Sequence, residues 1–402
     1  MNLPAAPERN AILVERRNRK MACSVHAYVR GNTARFYEWL HSARGHTLPQ
    51  GPAIWICGDC HLGNLGPLAD AAGNVEVRLR DFDQTTIGNP AHDLVRLALS
   101  LAAAARGSNL PGVVMAHMME HLIEGYEQAL LPEEERSGQE SPARERPGVK
   151  KPELIRQAIR VSNKRSWKEL ARERIADLKP NIPLGKHFWP LSKEEKDEIT
   201  RLFKRREMTG LVTTLKTRDD DAKVEVLDAA YWVKGCSSLG LLRYAVLLAV
   251  GGTDYCLVDI KEAATAAAPR YPRVRMPRDN ARRVVEGARH MAPALGERMV
   301  AQRFLEHGVF IRELLPQDLK LEIERLSTEE ATATARYLAY AVGLAHARQM
   351  DDATRLAWGR ELRQKHSKTL ATPSWLWNNV VQLVASHEAG YLEHCRRYAL
   401  GE

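Results

Sequence analysis

CGDCHLGNLGPLADAAGNVEVRLRDFDQTTIGNPAHDL, residues 57–94, is the stretch on which the reading of this chain turns. It follows AIWIC (53–57), an apolar run that reads as a short strand. It also contains a second strand, VEVRLRDFD (75–83), entered through the Gly-Asn turn at 73–74. Asp59 and Asn64 therefore stand just past one strand end, in D-x-x-x-x-N spacing, and Asp81-Phe82-Asp83 closes the next. A carboxylate in the first position can take the proton of an attacking hydroxyl. The amide oxygen of Asn64 and a carboxylate at Asp81 can ligate Mg²⁺, a hard cation that prefers oxygen. Phosphoryl transfer is mainly positioning and charge neutralisation, so one base and two metal ligands on adjacent strand ends are the equipment it needs. Asp83 reads as a further metal ligand or as a turn cap.

Outward from this stretch, residues 10–45 read as helical. After the GNP turn at 88–90 come a strongly apolar helix, HDLVRLALSLAAAA, and another at about 112–130. Residues 132–225 change character, with many charges, several prolines and short basic helices such as ELIRQAIR and SWKELARER. They read as a solvated helical insert and linker. Strand signals return in VLDAAYWVKG, LLRYAVLLAV and YCLVDIKEA, followed by a helix from Asn280 to about Ala292 and a strand, GVFIREL (308–314). From about 328 the chain is helical, and there is no internal repeat.

The bulk numbers bound the class. A chain of 402 residues with 27% charged and 44% hydrophobic residues has the composition of an ordinary soluble globular protein. A formal net charge of +9 suits a polyanion such as ATP and equally RNA, DNA or an acidic membrane. No apolar run is long enough to span a bilayer, and the N-terminus lacks the apolar stretch of a signal peptide, so a cytoplasmic location is expected. The six cysteines are then expected as reduced thiols. Cys57-Gly58-Asp59-Cys60-His61 also satisfies C-x-x-C-H, the attachment motif of c-type haem. Covalent haem needs an exported chain, and a zinc site would need a second ligand pair that the sequence lacks.

A second constellation lies downstream. Lys234-Gly235-Cys236-Ser237-Ser238-Leu239-Gly240 sits between two strands, as a phosphate-covering loop should. Its glycines let backbone N–H groups approach phosphate oxygens, with Ser237 and Ser238 between them. Leu257-Val258-Asp259-Ile260-Lys261 places a lysine at a strand end, where it can neutralise nucleotide phosphates. Glu286, in the helix NARRVVEGARHM, is expected to hold Lys261 by an ion pair, with Glu262 or Glu313 as substitutes. The strand VFIRELL would lead into a segment that binds adenine.

The first constellation resembles the aminoglycoside phosphotransferase and choline-kinase pattern, H-G-D-x-H-x-x-N followed by D-F-E-D-x-x-x-G-D-P-x-x-D. Here it stands as Cys57-Gly58-Asp59-Cys60-His61-Leu62-Gly63-Asn64, then Asp81 through Gly88-Asn89-Pro90-Ala91-His92-Asp93. The resemblance implies Asp59 as catalytic base, Asn64 and Asp81 as metal ligands, and Asp93 and His61 as structural support. It departs at Cys57, where the pattern has His. The glycine loop and Lys261 come after the base rather than before it, which implies a circularly permuted kinase. The implied fold is α+β: a protein-kinase-like two-lobe fold, circularly permuted, with a mainly helical C-lobe and a small antiparallel-sheet nucleotide lobe. Residues 1–131 and 323–402 would build the helical lobe and 226–322 the nucleotide lobe. KMACSVHAYVRGNTARF, GDCHLGN, VKGCSSLG, IKEA, VVEGARHM, FIRELLPQDLK and GLAHARQMD also resemble the bacterial family catalogued as domain of unknown function 2252, over nearly the whole chain. Arg30, His346 and Arg348 lie in these runs, where capping or packing roles are the simpler reading.

The expected activity is thus ATP- and Mg²⁺-dependent phosphotransfer to a hydroxyl-bearing small molecule or protein. The alternatives are a nucleotide-binding regulator on the same fold, or transfer of AMP instead of phosphate. Nucleic-acid binding through the basic 150–206 region lacks the interleaved aromatics that would support it.

Overall fold

The computed structural model describes residues 3–42, 48–132, 149–165, 181–213, 218–219, 221–236, 238–252, 254–319, 321, 327–364 and 372–398. The stretch read as one helix over 10–45 forms three, α1 (Arg9–Ala22), α2 (Val25–Gly31) and α3 (Thr33–His41). Two capping side chains cut it: Ser24 accepts from the Ala27 amide and Asn32 from the Arg35 amide, each starting a new helix. Then β1 (Ile54–Ile56) pairs antiparallel with β4 (Thr86–Gly88), and β2 (Leu65–Ala69) with β3 (Val75–Leu79). The next helices are α4 (Ala91–Gly107), α5 (Gly112–Leu130) and α6 (Glu153–Lys164).

A larger sheet follows, built from β5 (Phe188–Trp189), β6 (Val224–Trp232), β7 (Arg243–Val250), β8 (Asp254–Glu262), β9 (Met299–Phe304) and β10 (His307–Leu314). Its order is β5-β6-β7-β8-β10-β9, and every neighbouring pair is antiparallel. Helices α7 (Lys193–Leu202) and α8 (Arg206–Val212) precede β6, and α9 (Asn280–Met291) and α10 (Pro293–Gly296) join β8 to β9. The chain closes with α11 (Thr328–Ala347), α12 (Asp352–Arg363) and α13 (Ser374–Tyr398). The protein is thus a mixed α+β chain with antiparallel sheets.

Side chains alternate across a strand, so the large sheet has two distinct faces. Tyr244, Val246, Val258, Ile260 and Ile311 form one, covered by Leu13 of α1 and by Ile199, Leu202, Met208 and Leu211 of α7 and α8. On the other, Ala230, Trp232, Ala245, Leu247, Leu257 and Leu314 pack with Ile182 and Phe188. Toward one end that second face turns charged, carrying Arg243, Asp259, Lys261 and Arg312. The remaining helices share a separate core with β1 to β3. Within it α5 and α11 approach closely because Gly125 and Gly343 carry no side chain: a Cβ on Gly125 would lie 2.0 Å from the Arg336 carbonyl oxygen, and one on Gly343 2.6 Å from the Ala129 methyl.

Further features depart from the sequence reading. Described parts of the supposed insert are built into the cores, since Ile155 of α6, Ile199 of α7 and Met208 of α8 are all buried and β5 adds an edge strand. SWKELARER lies outside the described residues. Strand β9, unexpected, forms a hairpin with β10 whose two-residue turn, Leu305-Glu306, has φ of 45° and 65°. Such turns normally advertise themselves by Asn-Gly.

Candidate active site

The loop after β1 is held from below by main-chain anchoring. Asp93, on the first turn of α4 and fully buried, accepts from the Cys57 amide at 2.7 Å and the Gly58 amide at 2.9 Å. His346 of α11 braces it, with Nε2 3.2 Å from Asp93 Oδ2. The carboxylate is an acceptor there, so Nε2 carries the hydrogen. Nδ1 then accepts from Tyr126 at 2.9 Å, and the Tyr126 oxygen takes the Trp358 indole N–H at 3.0 Å. Tyr37 donates to the Gly58 carbonyl at 2.7 Å and Thr85 to the Ile56 carbonyl at 2.6 Å.

Asp59 sits on this platform, 6% exposed. Its Oδ1 accepts from Arg96 Nε at 2.9 Å, and Arg96 also donates to the Val29 carbonyl at 2.6 Å. Oδ2 lies 3.7 Å from His61 Nε2. Burial raises the Asp59 carboxyl above the usual range, with Arg96 opposing the shift. Burial, reinforced by Arg30 and Arg96, drives His61 well below its usual value, so it is neutral. Asn64 donates its amide to the Asp59 carbonyl at 2.9 Å, which leaves its side-chain oxygen uncommitted by that bond.

Asp81, Phe82 and Asp83 follow β3, and the end of β8 comes to meet them. Lys261, 3% exposed, donates to Asp83 Oδ2, and its Nζ lies 3.5 Å from Asp81 Oδ2. Two carboxylates share one ammonium, and the pair splits. Burial raises Asp83, the Asp81 charge adds to this, and the carboxyl reaches about 7. For Asp81 burial also works upward, but Lys261, Arg312 and Arg243 outweigh it and hold the carboxyl below the usual range. Arg283 of α9 fixes the turn, donating to the Asp83 carbonyl at 3.0 Å, the Ala264 carbonyl at 2.8 Å and the Thr85 carbonyl. Arg312 joins the two halves. It donates to the Arg80 carbonyl at 2.9 Å and to Asp259, whose other partner is Arg243 at 2.6 and 2.9 Å.

The glycine loop spans β6 to β7. Gly235 and Gly240 have φ of 110° and 104°, conformations that a side chain would strain. The Gly235 carbonyl accepts from Lys20 of α1 at 2.7 Å, and Ser238 is buried beside it. Ser237 lies outside the described residues. Cys236 Sγ packs against Gly31, 3.1 Å from where a Cβ would stand, and the neighbouring Arg30 lays its guanidinium over Gly63, 2.9 Å from the corresponding point. The end of α2 is therefore wedged between the glycine loop and the Asp59 loop. A cavity of about 320 Å³ among α2, α4 and α13, lined by Val25, Leu99, Val384 and His387, contains none of the expected site residues.

Asp59, Asn64, Asp81, Lys261, His61, Asp93 and the glycine loop are thus held in one connected region. The two expected glutamates stand apart from it. Glu286 pairs with Arg289 at 2.9 Å on the outer side of α9, because Val284, Val285 and Ala288 take the inward positions of the helical period. Glu313 is buried on the opposite face of the sheet, paired with Arg218 at 2.6 Å. Phe310, across from Lys261, shares its face; three residues on, Glu313 must point the other way. Glu262 bonds His307 and the Leu242 amide. Lys261 takes Asp83 and Asp81 instead. Sequence reasoning missed Arg96, Arg283 and Arg312. The signal for Arg96 was present, since an arginine in the apolar run LVRLALSLAAAA must find a partner when the helix is buried.

An α+β fold with an antiparallel sheet whose lysine meets two aspartates of an anchored loop pair is the class these observations define. The chain belongs to the family described as uncharacterized protein conserved in bacteria (DUF2252), whose model matches residues 9–397. A search of the curated proteins and one of the solved structures each return no match.

Proposed function

We propose that this chain is an ATP- and Mg²⁺-dependent phosphotransferase of kinase-like, circularly permuted architecture, with Asp59 as base. The observation that carries the reading is the meeting of Lys261 with Asp83 and Asp81 across a separation of 178 residues between Lys261 and Asp83. A lysine on the sheet beside a glycine-bearing hairpin then faces the very carboxylates expected to bind metal. The run β6-β7-β8-β10-β9, with α9 between β8 and β9, supports the same reading, since it follows the order of glycine loop, lysine strand and helix expected of a nucleotide lobe.

The donors suit Mg²⁺. Asn64 offers an amide oxygen, the Asp81 side chain is 40% exposed, and Asp83 Oδ1 is buried with no protein partner. Among the described residues no group of three or more His, Cys, Asp or Glu side chains could hold a metal. Mg²⁺ in such sites commonly takes one or two carboxylates and completes its shell with water and substrate phosphates. Bound there, it would neutralise charge on the phosphate oxygens.

Asp59 Oδ2, the oxygen not engaged by Arg96, accepts the proton of the acceptor hydroxyl. The acceptor oxygen bonds the γ-phosphorus while the bond to the β,γ-bridging oxygen breaks, and ADP leaves. Lys261 exchanges Asp83 for the nucleotide phosphates. The test is transfer of labelled γ-phosphate, or ATP turnover, by the wild type, Asp59→Ala and Asp81→Ala. Wild-type turnover lost in both variants is expected; equal residual activity in all three proteins sinks the reading.

A nucleotide-binding regulator is the second reading, favoured by the engagement of Asp59 by Arg96 and of both aspartates by Lys261. It predicts stabilisation by ATP, lost in Lys261→Ala, without turnover. AMP transfer would show as an added AMP on the target by mass spectrometry.

A further inference from the structure

We infer that Arg30, half-buried and laid over Gly63 beside the Asp59 loop, is an oxyanion site that binds a phosphate- or carboxylate-type group, with Arg96 and His61 adding to the positive, desolvated surroundings. The inference rests on the phosphotransferase reading only for which molecule brings that group. Arg30 makes no hydrogen bond or ion pair with any described residue, and its Nε is sealed from solvent without a partner. Its guanidinium lies over Gly63, where the absence of a side chain leaves it room. Below, Arg96 is fully buried, and its NH1 has no partner. His61 is 5% exposed, and its Nδ1 has none either.

Charge on these groups is poorly balanced. Arg96 already holds Asp59 Oδ1, and no carboxylate among the described residues pairs with Arg30. Asp81, which acts on His61, is taken with Asp83 by Lys261. A desolvated cation without a counter-charge is costly, and a buried donor without an acceptor adds to that cost. The protein keeps two guanidinium donors without partners, Arg30 Nε and Arg96 NH1, on residues that adjoin the Asp59 loop, and an oxyanion on the outer nitrogens of Arg30 would supply the missing counter-charge. Guanidinium forks match phosphate and carboxylate oxygens two at a time.

The group comes from one of two sources: the phosphoryl being transferred, or an anionic group on the acceptor beside its hydroxyl. Their shared chemistry is what Arg30 reads. Inorganic phosphate is the probe, titrated calorimetrically into the full chain at constant ionic strength. Saturable binding is expected, at least about tenfold weaker in Arg30→Gln and within about twofold of wild type in Arg289→Gln, which removes a surface arginine on the outer side of α9. Arg30→Lys, which keeps the charge and loses the fork, should fall between. Thermal unfolding of each variant checks that it folds. Repeating the titration with saturating Mg-ATP locates the source: competition assigns the Arg30 site to the transferred phosphoryl, and simultaneous binding assigns it to the acceptor. No saturable phosphate binding, or binding that Arg30→Gln leaves unchanged, overturns the inference. Phosphate transfer that persists in that event leaves the phosphotransferase reading standing. Arg30-dependent phosphate binding without any transfer removes that reading and keeps the site.

Discussion

Replacing Asp93 by asparagine removes one charge and keeps the shape of the side chain, so its effect can be worked from three bonds. The carboxylate accepts from two main-chain amides at 2.7 and 2.9 Å and from His346 at 3.2 Å, and no solvent reaches it. Asparagine has one acceptor oxygen, and its NH₂ must face at least one of those three donors. A hydrogen bond to a charged group contributes about 1.5–3 kcal/mol net, and a buried donor left unmade costs about 1–3 kcal/mol. Losing one such bond and stranding one donor gives a destabilisation of about 3–5 kcal/mol. Urea unfolding of Asp93→Asn and wild type measures it, and amide exchange at Cys57 and Gly58 localises it. Both amides should exchange faster in the variant. A loss below about 1 kcal/mol, or unchanged protection at both amides, would refute the idea that Asp93 anchors the loop.

Three further outcomes follow from the same geometry. Arg96→Met leaves Asp59 buried and unpaired and should cost about 3–5 kcal/mol, measured by the same unfolding titration. Asp59→Asn added to it should restore part of that loss. Asp83, raised to about 7 by burial and by Asp81, holds a proton in the native state that the unfolded chain has released above about pH 4. Its contribution to stability is therefore full below about pH 4 and falls as pH rises through 7, so Asp83→Asn should gain on wild type across that window. Asp81, shifted the other way, acts only below it. A pH-independent difference between the two proteins would contradict this. Glu306 has a φ of 65°, and Glu306→Gly should raise the unfolding midpoint, by about 0.5–1 kcal/mol of stability.

Much of the fold was legible where local signals coincide. AIWIC and VEVRL alternate or run apolar between turn residues and became strands, and β6, β7, β8 and β10 appeared close to their expected bounds. β9 escaped because its hairpin turn is Leu305-Glu306, a pair without glycine or asparagine that adopts left-handed backbone anyway. The insert read as solvated because α7, KEEKDEITRL, is mostly charged; only Ile199 and Leu202 with Glu195 face inward, and Glu195 is paired with Arg9 at 2.7 Å. Within the site, a pair close in sequence was readable in spacing, as with Asn64, whose amide bonds the Asp59 carbonyl five residues back. Partners brought from far along the chain were not. The exchange of Glu286 for Asp81 and Asp83 as partner of Lys261 is of that kind, although the 3.6-residue period of α9 already turned Glu286 outward.

The central claim is that Lys261 lies against the phosphates of bound ATP. An acyl-phosphate derivative of ATP reacts with an amine near its phosphates, forming an amide and releasing ATP, and peptide mapping then names the lysine. The account predicts labelling at Lys261, suppressed by Mg-ATP and weakened in Asp81→Ala. Labelling spread over surface lysines, or labelling of Lys261 that Mg-ATP does not suppress, would contradict it.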